Sequence, residues 1–200
     1  MLSWFEQNTG DNIRMVINKQ LISAEQFYDL SQSAAYDDKL IELVDGEIIE
    51  MVKPGGKHGM VAMRLGTKIL NFAGDAGYVF AAETGFITKR GSDGRDRVRW
   101  LDIAYVDKDR LLEGVPDGHI TVAPNLAVEI LSPSNNEEDM REKVLELLAL
   151  GAEVVWVVSL VTKTVLVYTQ DDVKLFREDD TLTGAPALPD FSIVVGAIFE

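Results

Sequence analysis

The segment Leu126-Ala-Val-Glu-Ile-Leu131 restricts the fold more than any other. Five of its six residues are apolar and they do not alternate, the pattern of a strand buried on both faces. A sheet containing it needs cover on both sides. Ser132-Pro-Ser-Asn-Asn136 stops the strand, and a helix over about 137–150 is predicted next. Asn136 is its N-cap, Glu137 and Glu138 suit its positive end, and Gly151 is its C-cap. A second helix over about 58–73 carries Val61, Leu65, Ile69 and Phe72 on one face. Ser23 with Gln26 reads as a capping box opening a helix at about 24–35, with Leu21 stapling its start. Leu40–Val44 and Glu47–Val52 flank Asp45-Gly46, a hairpin signal. Further strands are expected at 78–89, 97–106, 153–159, 163–169 and 172–177, a loop at 107–124, and an extended or partly stranded tail from 182. The order predicts an α/β (α+β) fold, one mixed sheet flanked by helices, with an N-terminal helix and β-hairpin. Residues 1–20 read as a loose arm and 21–200 as one domain.

Composition then narrows the chemistry. The chain has 200 residues and no cysteine, so disulfides, thiolate metal sites and cysteine nucleophiles are excluded. His58 and His119 are its two histidines, too few for an imidazole-rich metal site. His119 is expected to be solvated in its loop. No signal peptide or membrane-spanning run is visible, which predicts a soluble cytoplasmic protein. The net charge of −14 disfavours a general nucleic-acid binder, yet residues 53–99 hold nine basic and four acidic residues. That segment is either a mixed solvated surface or a basic face suited to a polyanion.

Three acids interrupt apolar runs: Glu42 in 40–44, Asp102 in 100–106 and Glu129 in 126–131. A carboxylate in a buried strand costs several kcal/mol unless it is paired or metal-bound. Converging carboxylates without cysteine suit a hard cation, Mg²⁺ or Mn²⁺, with the Ile130 carbonyl as a further oxygen ligand. Such a site hydrolyses phosphodiesters. Lys143 borders the apolar stripe of the 137–150 helix, where it could orient a water or offset oxyanion charge. Plain structural roles stay open: Asp102 and Glu129 in buried pairs, Glu42 on a solvent face, Lys143 paired with Asp139. His58 is a helix-start residue or an active-site rim residue. Ser132 ends its strand or touches phosphate, as could Ser134. Gly55-Gly56-Lys57 lacks P-loop spacing.

Several stretches resemble the Uma family of restriction-endonuclease-like proteins, within the PD-(D/E)XK nuclease superfamily. They are 41–51, His58 opening its helix, 101–106, 124–134, Asp139 to Lys143, 154–158 and Leu-Pro-Asp-Phe (188–191). The resemblance implies a restriction-endonuclease-like mixed sheet and a Mg²⁺-dependent endonuclease cutting nucleic acid, DNA in the first place; a homodimer is expected, since two copies could present a basic groove. Asp102 and Glu129 match its motif acids and Glu42 its upstream acid, as catalytic and metal-binding residues, with Ile130 lending its carbonyl. His58, Lys57 and Ser132 fall where substrate would bind. The lysine expected two residues after the glutamate is replaced by Leu131, and the role passes to Lys143 on the following helix. Leu101 stands where the family has proline, and Leu147 where it has tyrosine. A catalytically silent binding or assembly module, or a metal-dependent hydrolase of smaller phosphoesters, fits the same residues.

Overall fold

The computed structural model describes residues 21–200 apart from 93 and 133–135, and omits the side chains of 82 and 83. The 1–20 arm and Ser134 lie outside the described residues. The elements are α1 (Ala24–Ser31), β1 (Leu40–Val44), β2 (Glu47–Met51), α2 (Gly56–Ala73), β3 (Gly77–Lys89), β4 (Arg97–Asp107), β5 (Leu126–Leu131), α3 (Glu137–Leu150), β6 (Val154–Ser159), β7 (Thr164–Tyr168), β8 (Val173–Phe176), β9 (Thr181–Thr183) and β10 (Ser192–Val194). The main sheet runs β2-β1-β4-β5-β6-β7-β8, with β3 pairing along the other edge of β4. β5 and β6 are parallel and joined through α3, whereas the other pairs are antiparallel, so the sheet is mixed.

Alternation along β5 explains how one apolar run serves two cores. Leu126, Val128 and Ile130 join Val61, Leu65, Ile69 and Ala73 of α2, while Ala127 joins Met140, Val144 and Leu147 of α3. Glu129 shares the parity of Ala127 and so belongs to the α3 side. The α2 stripe runs at a strict spacing of four and ends on Ala73, not on the expected Phe72. Phe72 is exposed and meets Phe191 of the tail edge-on. The tail is more than extended: β9 and β10 form a small sheet whose Leu182, Phe191 and Ile193 complete the α2 core.

Local chemistry sets the boundaries. Ser23 and Gln26 make the predicted capping box, and Asp96 Oδ2 accepts the Ala24 N–H at 2.9 Å. Ile22, directly before the cap, is buried with Phe27 and takes the stapling position expected of Leu21. α1 stops at Ser31 because the Ser31 and Ser33 hydroxyls donate to the Tyr28 and Leu30 carbonyls, at 2.8 and 2.6 Å, and compete with further helix. Asp45 and Gly46 both take positive φ, as a two-residue hairpin turn requires.

The 107–124 loop is docked. Its Ile120 exchanges two 2.8 Å backbone hydrogen bonds with Gly85 and Ile87, and His119 is buried, contrary to the solvated placement expected. The ring is enclosed by Phe27, Tyr28 and Trp100, aromatic neighbours that sequence spacing does not announce. Burial, with Arg90 adding to it, holds the His119 pKa below its usual value. The unfolded chain therefore binds a proton that the folded chain resists, and stability falls as pH drops below about 6.5. Thermal melts of His119→Gln should lose less stability than wild type between about pH 7.5 and about pH 5.5.

Candidate active site

β4 meets β1 at Leu43↔Val98 and β5 from Ile103↔Val128 onward. The edge between, residues 99–102, is closed by side chains. Glu42 Oε1 accepts the Trp100 N–H at 3.1 Å, and Lys143 Nζ donates to the Trp100 carbonyl at 2.6 Å. Asp102 Oδ2 accepts the Ile130 N–H at 2.7 Å. Four of the sequence-predicted residues therefore gather where two strands separate.

Lys143 is the hub. It lies 2.8 Å from Glu129 Oε2 and 3.5 Å from Glu42 Oε1, its pairing with buried acids from two strands. Burial pushes the Lys143 pKa down, but Glu129 and Glu42 outweigh it, so the ammonium keeps its proton. Burial likewise pushes Glu42 up, and Lys143 with Arg99 brings it below the usual value. Arg99 Nη1 holds Glu42 Oε2 at 2.9 Å, so both Glu42 oxygens are engaged within the protein. Glu129 differs: burial lifts its carboxyl to about 8 against the pull of Lys143. Its Oε1 is buried without a hydrogen-bond partner among the described residues.

His58, buried in the first turn of α2, places Nε2 3.0 Å from Asp102 Oδ2. That hydrogen bond raises the His58 pKa against burial, with the Asp102 and Glu129 charges adding to it. Asp102 keeps 19% of its side chain exposed against 5% for Glu129, so the site opens on the Asp102 side. Lys57 is exposed beside His58, and Ser132 is half-buried just after β5.

Among the described residues, no three His, Asp or Glu side chains converge as a ready-made metal cage. The oxygen set nevertheless fits a hard cation, because Glu129 Oε1 is a buried acceptor still to be satisfied. The Ile130 N–H points at Asp102, and in an extended strand the carbonyl of the same residue faces the same edge.

Sequence reasoning missed a second charge layer. Arg99 also reaches Glu146 at 3.2 Å, while Arg97 bonds Asp45, Glu142 and Glu146. Arg97 and Arg99 share one strand face, and Glu142 and Glu146 are four apart on one helix face, a complementarity open to inspection. Lys89 pairs with Asp45, and Arg90 with Glu25 and Asp96. These four cations of the 53–99 segment are paired internally, whereas Lys53, Lys57 and Lys68 near α2 are exposed. Arg99→Met should cost about 3–5 kcal/mol, because it strands Glu42 and Glu146 in the interior; urea unfolding reads the loss.

No helix among the described residues is long and apolar enough to cross a membrane. The fold is similar to a crystal structure described as "a putative nuclease belonging to DUF820" from Anabaena variabilis. The TM-score is 0.73 at 21% identity, over 89% of this chain and 97% of that one, a likeness of fold. No functionally curated protein matches the chain. The family model Uma2, described as "Putative restriction endonuclease", matches residues 24–196. The chain, with its mixed sheet and acidic strand edge, belongs to the Uma2 family.

Proposed function

We propose that the protein is a Mg²⁺- or Mn²⁺-dependent endonuclease that hydrolyses phosphodiester bonds of nucleic acid, DNA in the first place. One observation carries the reading: Lys143, from α3, stands between Glu129 and the carbonyl of Trp100, two strand positions before Asp102. The charge missing at Leu131 is thereby returned to the strand edge.

Asp102, Glu129 and the Ile130 carbonyl would hold the cation, with Glu42 behind them. The bound cation would supply a Lewis acid for the phosphate oxygens and lower the pKa of a coordinated water. His58 holds the Asp102 carboxylate in place. Lys143, charged and held by Glu129 and the Trp100 carbonyl, offsets the negative charge that builds on the phosphate during in-line attack. Glu42 keeps Lys143 aimed. Lys57 and Ser132 flank the opening and bind the strand. In the same reading two copies pair as a homodimer, which light scattering would show.

The test is a plasmid-nicking assay. Cleavage should require Mg²⁺ or Mn²⁺ and stop with chelator; cleavage indifferent to chelator would reject metal dependence. A second reading, a silent nuclease-fold binding module, gains from the internal use of four basic residues. Calorimetry without any divalent-metal binding would favour it.

A further inference from the structure

A cavity of about 380 Å³ opens beside Trp100, walled by Trp100, Tyr28, Phe80 and His119, with Thr84 and Pro116 at its margin. Its size lies at the small end of ligand pockets. His119 is fixed in it. The ring stacks on Phe27 at 5.7 Å and meets Tyr28 and Trp100 edge-on at 5.3 and 5.7 Å. On another side it rests on Gly85, where a Cβ would come within 2.4 Å of His119 Nδ1. The Tyr28 hydroxyl donates to the Asp117 carbonyl at 2.9 Å and ties the loop across the mouth.

His119 is 9% exposed, yet its Nε2 has no hydrogen-bond partner among the described residues. A buried ring nitrogen is ordinarily paired, and the residue that carries this one lines the cavity. The lining carries no lysine or arginine and includes Asp117, so it does not suit a bare phosphate. Aromatic walls with one polar edge suit a flat heteroaromatic ring.

We propose that this cavity binds one unpaired nucleobase of the substrate strand, stacked on its aromatic wall with its edge bonded to His119 Nε2. The proposal rests on the nuclease reading and deepens it. Trp100 joins the two sites: its peptide N–H and carbonyl hold Glu42 and Lys143, and its ring walls the cavity. A base seated there places its own strand beside the acidic edge.

The test uses a short single-stranded oligodeoxynucleotide carrying 2-aminopurine at successive positions, in chelator so that nothing is cut. Binding should quench the fluorophore at one position. Tyr28→Ala and His119→Ala should weaken binding about tenfold, and Tyr28→Phe should keep it. An oligonucleotide abasic at that position should bind wild type as weakly as the base binds Tyr28→Ala. Unchanged affinity in Tyr28→Ala and His119→Ala proteins that melt like wild type would overturn the pocket. Adenosine monophosphate binding as tightly as the strand would overturn the strand-base assignment in favour of a free nucleotide. Nicking with Mg²⁺ separates the two ideas. Base-dependent binding without nicking supports the pocket and rejects the nuclease; nicking by protein whose binding ignores the base does the reverse.

Discussion

In the nuclease reading, Asp102→Asn should lower metal-dependent nicking about a thousandfold or more while the fold survives. The amide is nearly the same size, and its oxygen can still accept the Ile130 N–H that Asp102 Oδ2 accepts now. What it loses is charge, both for a cation and for His58 at 3.0 Å. The stability cost is about 1 kcal/mol, or about 2–4 °C in melting temperature, because one charge-assisted bond weakens. Activity and stability thus part company, and the two measurements together decide the matter. Full nicking in the variant would remove Asp102 from the site.

Lys143→Met shows the opposite coupling: activity and stability fall together. The lysine bonds Glu129, the Trp100 carbonyl and, at 3.5 Å, Glu42. Methionine fills the volume and satisfies none of these groups. Leaving buried acids uncompensated costs about 3–5 kcal/mol. Nicking should fall about a hundredfold or more, since the fixed positive charge facing the phosphate is gone. Adding Glu129→Gln to Lys143→Met replaces a buried carboxyl that has lost its partner by an amide that carries no charge at any pH, so the double variant should unfold at higher urea than Lys143→Met alone. Simple additivity of the two losses would show that the pair is not coupled.

The sequence was most informative where one interaction decides the outcome. The bounds of β5 and α3 follow from a doubly buried strand, an Asn cap and a Gly stop, and they are observed at 126–131 and 137–150. The acids were visible as violations, charges inside apolar runs. Less visible was anything set by packing between distant segments. Phe72 leaves its helix face because the stripe closes on Ala73. His119 is buried because Phe27, Tyr28 and Trp100 surround it. Arg97 and Arg99 looked available to a polyanion, and their acids sit up to 57 residues away in sequence. Parity and i,i+4 spacing constrain such partners only once strand order is known.

The closed edge of β4 also sorts its charged groups by role. Glu42 and Lys143 stand in for a missing stretch of neighbouring strand at Trp100, so each satisfies a peptide group that would otherwise lack a partner on that edge. Glu129 is otherwise placed: its second oxygen meets no protein donor among the described residues, and burial keeps the group costly. Glutamine would be easier to bury there, so in the nuclease reading the carboxylate is present for the cation and not for the fold.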